Sequence, residues 1–300
     1  MANTNWLEEA KGISKSVTNK YTVIMGKIGT SKTTSAGTYP KPMLYITVAK
    51  DGGGIVLKGY SDDEIKFLDI TSDNPLDQAY VNGKNTPKSS YTKIFEILTE
   101  LKENCPFKTV VIDTATAIQE DLVKFLEAYK GGKKLNEGEW GTVGKLMSSM
   151  VDLLAELSQK DTEYVSIMHI KEHKLSDSTT GQEYIEYVPK MTLNNGSTFL
   201  EKANNVMYSC RKTVLNKQGS PEVKFLMYIG SHPYIDTKLR LPNGEKLDKG
   251  LYIEDFTFDK FQKIIKENDF EPKVTVVEPE NPFKNDEEEI ETKKEESKDW

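Results

Sequence analysis

Nine consecutive residues of this chain have the types and spacing of a phosphate cradle. Gly26-Lys27-Ile28-Gly29-Thr30-Ser31-Lys32-Thr33-Thr34 follows the apolar, β-branched run Tyr21-Thr22-Val23-Ile24-Met25. The general pattern is G-x-x-x-x-G-K-[ST] between a strand and a helix. Gly26, Lys32 and Thr33 fit it, and Ser31 replaces the glycine before the lysine. Backbone N–H groups of such a loop and of the helix behind it surround phosphates. The expected nucleotide-binding set is therefore Gly26, Gly29, Thr30, Ser31, Lys32, Thr33 and Thr34. Lys32 neutralises the β- and γ-phosphates, and the Thr33 hydroxyl holds Mg²⁺. Ser31 at a glycine position strains the loop or crowds the phosphate. The plainer alternative is a glycine-rich turn with an exposed lysine.

A second carboxylate-bearing motif fits the first. Thr109-Val110-Val111-Ile112-Asp113 reads as a buried strand ending in an acid, 81 residues after Lys32. An acid there binds Mg²⁺ directly or through water, beside Thr33. The alternative role for Asp113 is N-cap of the helix that follows. Together the two motifs point to ATP with Mg²⁺, with Thr33 and Asp113 as the metal-side residues.

The elements that must position these residues alternate along the chain. Strands are expected at 21–25, 43–49, 109–113 and 164–169, and Ile65 to Ile70 reads as a further one. Helices are expected at about 91–103, where Ile94, Ile97, Leu98 and Leu101 share a face, around Ile118–Tyr129, and from Val143 to Leu157. Residues 72–90 and 130–142 read as loops. Residues 171–190 read as a hairpin turning at Thr180-Gly181. Strands at 206–210 and 223–229 and a short helix capped by Thr257 complete the body. Early strand–helix alternation and a more antiparallel second half predict an α/β fold, a mostly parallel central sheet with helices on both faces.

Composition narrows the classes. The chain has 300 residues, 47 acidic and 40 basic, for a net charge of −7. Residues 271–300 hold 11 acidic and 5 basic residues, leaving 36 and 35 in residues 1–270. The body is thus nearly neutral, against a uniformly basic DNA-coating protein but not against a local basic groove. The tail is too charged and too poor in apolar residues to repay ordering, so it is expected to be disordered. No run of about 18 apolar residues is present. The two cysteines, Cys105 and Cys210, have no metal spacing, and a cytoplasmic setting is expected. Only two of the basic residues are arginine, Arg211 and Arg240. A small-molecule kinase needs a lid with several arginines, which argues against that class. The expected organisation is an N-terminal arm at 1–20, one domain at 21–270 and the acidic tail at 271–300.

Several segments, in order, match a known group. They are the phosphate loop with Tyr39-Pro40-Lys41-Pro42, the strand closing in Asp51-Gly52-Gly53, Val111-Ile112-Asp113-Thr114, the strand at His169 before Lys171-Glu172, and Thr237-Lys238-Leu239-Arg240-Leu241-Pro242. Over roughly residues 20–245 the chain resembles the phage RecA-like P-loop ATPases, the RecA-core branch of phage single-strand annealing and recombination proteins. The resemblance implies a RecA-like NTPase core, self-assembly into a ring or filament, and weak DNA-dependent ATP hydrolysis. Asp51 stands where the group has a glutamate that activates water, His169 where a polar residue senses the γ-phosphate. Lys238 and Arg240 form a K-x-R pair like one that reaches a neighbouring subunit's nucleotide.

The resemblance implies single-stranded DNA on loops matching residues 130–142 and 171–198, with Lys130, Lys133, Lys134 and Trp140, and Lys171 and Lys174, as the expected contacts. Lysines there track phosphates and an aromatic ring stacks a base. A single-stranded-DNA-binding protein is an expected partner, a membrane is not, and a phage source implies the host cytoplasm. The rival expectation is a nucleotide-gated scaffold or loader that hydrolyses little ATP and acts through protein contacts, favoured by Ser31 and Asp51.

Overall fold

The computed structural model describes residues 20–48, 53–71, 78–81, 84–176, 181–240 and 250–268. Asp51, the acidic tail and all of the N-terminal arm but Lys20 lie outside the described residues.

Every residue of β1 (Tyr21–Gly26), β2 (Met43–Thr47) and β6 (Thr109–Asp113) is buried, as continuous apolar runs require when both sheet faces are covered. These strands lie parallel with β3 (Ile65–Asp69), β7 (Glu163–Ser176) and β9 (Asn205–Leu215), in the spatial order β9-β1-β7-β6-β2-β3. The second half adds the antiparallel strands. β10 (Pro221–Tyr228) pairs with β9 and β12 (Tyr252–Glu254), β8 (Glu183–Pro189) with β7, and β11 (Lys238–Leu239) with β9. The result is the expected α/β architecture.

Alternation along the strands divides the core in two. Tyr21, Val23 and Met25 of β1 face α2 (Ser90–Glu103), α3 (Ala115–Tyr129), α4 (Glu137–Leu157) and α5 (Leu193–Lys202). Ile24 faces the other layer, with Ala36 of α1 (Lys32–Ala36) and Phe258 and Phe261 of α6 (Phe258–Asn268). Helices therefore cover both faces. β1 lies between β9 and β7, so the loop that leaves it has a strand on each side.

Four expectations are corrected. Part of 72–90 forms a hairpin of β4 (Gln78–Val81) and β5 (Lys84–Pro87). The segment 130–142 is not all loop. Asn136 caps α4, its side chain accepting from the Glu139 N–H while the Glu139 carboxylate accepts from the Asn136 N–H, so Trp140 is helical. β7 does not stop at His169 but runs seven residues further. Helix α5 was not anticipated, because Leu193-Asn-Asn-Gly-Ser-Thr is polar and glycine-bearing. Packing decides it: Phe199 is fully buried, Asn195 donates to Gln119 at 2.6 Å, and a Cβ on Gly196 would press on Pro189 at 3.2 Å.

Candidate active site

The phosphate loop leaves β1 where the sheet is most crowded. A Cβ on Gly26 would sit 2.3 Å from the Ser209 carbonyl oxygen and 2.7 Å from Thr30 Oγ1, so only glycine fits. The Thr30 hydroxyl donates to the Lys27 carbonyl at 2.9 Å, and the Ser209 hydroxyl donates to the Thr30 carbonyl. Gly29 and Ser31 both have positive φ, 75° and 69°. Ser31 thus keeps the left-handed conformation of the glycine it replaces, at a cost of about 1–2 kcal/mol. Ser31→Gly relieves that strain against a smaller entropic loss in the unfolded chain. A net gain of about 1 kcal/mol is expected, a rise in Tm of about 2–4 °C, readable by thermal unfolding. An unchanged or lower Tm would show that Ser31 is held by interactions worth as much as the strain.

Lys32 is buried, and its ammonium donates to the Lys27 carbonyl at 2.7 Å, inside the curl of the loop. Thr33 Oγ1 donates to Asp113 Oδ2 at 2.9 Å. The Tyr45 hydroxyl donates to the same carboxylate oxygen. Asp113 does not cap α3; Thr114 does, its side chain accepting from the Ala117 N–H. The Asp113 carboxylate is therefore turned to Thr33 and Tyr45. A hydroxyl and a carboxylate oxygen side by side are the hard donors Mg²⁺ takes from protein, with phosphate oxygens and water completing its shell. The residues present fit the ion.

His169 pairs in register with Gly26. By strand alternation it shares a face with Asp113 and Ser209, the face that carries α1. The geometry thus gathers Gly26, Thr30, Ser31, Lys32, Thr33, Asp113 and His169 at one end of the sheet. Exposed Thr34 is on α1. A cavity of about 230 Å³ adjoins the loop, between Thr30, Ser31 and Thr34 on one side and Phe225, Asp255 and Thr257 on the other. Sequence reading missed Tyr45 and Ser209. Their signal was a polar group inside an otherwise apolar buried strand.

The chain matches the family model of AAA domains over residues 18–241. It belongs to the AAA-domain family. Among solved structures, the ATPase domain of G40P is similar at 10% identity, covering 74% of this chain and 85% of that one, with a TM-score of 0.35. The ATPase DotB of Legionella pneumophila is similar at 8% identity over 72% of this chain and 48% of that one, with a TM-score of 0.29. A search of curated protein sequences gives no match. The AAA domain here is a P-loop ATPase domain built on a mostly parallel α/β sheet. No described helix is long and apolar enough to cross a membrane.

The remaining predicted residues lie apart from the loop. Lys238 pairs with Val206 in register, three residues down β9 from Ser209 and so about 10 Å from the level of Gly26. Its ammonium donates to the Leu200 and Glu201 carbonyls at the end of α5, at 2.9 and 2.8 Å. Burial, with the Arg240 charge beside it, lowers the Lys238 ammonium to about 8. Arg240 is exposed and donates to the Glu201 carbonyl at 3.4 Å. Of the expected DNA contacts, Lys130 pairs with Glu139 at 2.6 Å, Lys134 with Glu127 at 3.2 Å, and Lys171 donates to the Met191 carbonyl at 2.9 Å. Lys133 and Lys174 are exposed. Trp140 lines a groove of about 1000 Å³ between α4 and the start of α5.

Proposed function

We propose that this AAA domain binds ATP with Mg²⁺, assembles with copies of itself, and binds single-stranded DNA in recombination or strand annealing. The contact of Thr33 with Asp113 beside the Lys32 loop carries the ATP–Mg²⁺ part. Lys32 would draw the β- and γ-phosphates, the loop N–H groups would hold them, and Thr33 and Asp113 would hold the ion, which supplies charge neutralisation when bound. The cavity beside Ser31 has room for part of the nucleoside. His169, on the same face and level with Gly26, would meet the far end of the phosphates. Asp51 is proposed to orient the attacking water from outside the described residues.

The phage recombination setting rests on the ordered motifs named above. Lys130, Lys133, Lys134, Trp140, Lys171 and Lys174 are proposed DNA contacts, supported by the wide groove that Trp140 borders between two helices. A single-stranded-DNA-binding protein is the proposed partner, in the host cytoplasm.

The test is ATP turnover with and without single-stranded DNA, on wild type and Lys32→Ala, with light scattering for size. DNA-stimulated turnover, lost by a factor of at least about 10² in the variant and seen in a large assembly, is expected. ATP binding without turnover would instead favour the nucleotide-gated scaffold, the reading that the left-handed Ser31 supports.

A further inference from the structure

β1 ends in the phosphate loop, but both strands beside it continue past that level. β7 runs from His169 to Ser176 and returns as β8. β9 runs from Ser209 to Leu215 and returns as β10. Six residues beyond Ser209 extend the second arm about 20 Å past the loop. Two basic arms would be a natural clamp for an anionic strand, yet the arms differ in charge. The β7–β8 arm carries Lys171 and Lys174 against Glu172, Glu183 and Glu186. Lys27 of the phosphate loop reaches over to Glu172 at 3.2 Å, and that contact raises the Lys27 ammonium above its ordinary value. The β9–β10 arm, residues 210–224, carries Arg211, Lys212, Lys217 and Lys224 against Glu222 alone.

Lys130, Lys134 and Lys190 are each matched by a carboxylate. Arg211, Lys212 and Lys217 are exposed and form no ion pair among the described residues. Lys133 and Lys174 are exposed as well, and the arm differs in grouping three exposed cations within one hairpin. Lys212 stands directly opposite Lys224 in the ladder, an arrangement that costs stability through like-charge repulsion. Glu254 relieves Lys224 at 2.7 Å, leaving Lys212 unmatched. The arm is nonetheless well formed. The Asn216 carbonyl side chain accepts from the Gln218 and Ser220 N–H groups at 3.0 and 2.9 Å, and Gly219 takes the positive φ of 76° that the turn needs.

We propose that the β9–β10 arm binds the phosphate backbone of single-stranded DNA through Arg211, Lys212 and Lys217. This rests on the reading of the chain as a DNA-binding ATPase and moves the main electrostatic contact off the helix-side lysines. Three phosphate contacts account for a slope of about −2 in log K against log salt concentration, at about 0.7 per phosphate on a single strand.

The experiment measures binding of a fluorescent oligothymidylate between 50 and 300 mM salt on the full chain. Three proteins are compared: wild type, the variant Arg211→Gln/Lys212→Gln/Lys217→Gln, and a control, Lys102→Gln/Lys108→Gln/Lys160→Gln, at the opposite end of the sheet. The arm variant is expected to bind at least about tenfold more weakly at 50 mM salt, with a slope shallower by about 2, while the control stays close to wild type. An unchanged slope in the arm variant overturns the inference and leaves DNA binding to other surfaces, the arm then being free for an acidic protein. An equal loss in the control also overturns it, since general charge would then explain the effect. Wild type that binds no oligonucleotide at 50 mM salt, with or without ATP, overturns the DNA reading itself. Unaltered ATP turnover without DNA in the arm variant checks that the domain is folded.

Discussion

Arg240→Ala is expected to leave ATP affinity within about twofold and to cut turnover in the assembled protein by about 10³-fold. An arginine supplied by a neighbour to the transferring phosphoryl group contributes about 10³–10⁵ in rate. Arg240 sits beyond β11, which joins β9 about 10 Å below the phosphate loop, so its own nucleotide is a poor target. Lys238, two residues earlier, is held by the carbonyls ending α5, and Arg240 touches the Glu201 carbonyl of the same turn. Mixing gives the sharper measurement. A Lys32→Ala subunit keeps Arg240, and an Arg240→Ala subunit keeps its loop. Co-assembled, they should recover part of the turnover that each lacks alone. Full activity of Arg240→Ala, or no recovery on mixing, would show that Arg240 is not a trans-acting group.

Gly26→Ala should have a comparable effect by another route. The added methyl would lie 2.3 Å from a backbone oxygen of β9, and neither strand can yield without breaking the β1–β9 ladder. Overpacking of this kind costs about 1–3 kcal/mol. The displaced loop would also lose the Ser209-to-Thr30 hydrogen bond that sets its curl. ATP affinity is expected to fall at least about 100-fold, with Tm lower by several degrees, by titration calorimetry and thermal unfolding. Near-normal affinity in this variant would mean that the loop has another conformation in the nucleotide-bound protein.

Much of the fold was legible because β1, β2 and β6 are short and fully buried. Val110-Val111-Ile112 and Tyr21 to Met25 have no polar face to confuse the reading. Helices α2 and α4 were legible through their apolar stripes. Helix α5 was not, since its stability comes from Phe199 and from the Asn195–Gln119 contact, both supplied by other parts of the chain. Around Trp140, Gly138 and Gly141 weaken the helical pattern in the sequence, but the Asn136–Glu139 capping box outweighs them.

The phosphate-loop motif could be read from sequence because its residues are contiguous and follow a strand, although Ser209 of β9, distant in sequence, also shapes the loop. Asp113 could be named from the sequence as a strand-ending acid, but two roles remained open for it. Only the tertiary structure removes the cap role, which Thr114 takes, and brings Asp113 to Thr33, 80 residues away, through the strand order β1-β7-β6. The same holds for Tyr45, which shares the Asp113 oxygen, and for Ser209, which closes the loop from β9. Charge shows the limit most plainly. Sequence lists every lysine as equal, whereas folding pairs Lys130 and Lys134 with carboxylates and leaves Arg211, Lys212 and Lys217 on a projecting arm. A cation's partners are set by which strands lie side by side, and that is a property of the folded chain.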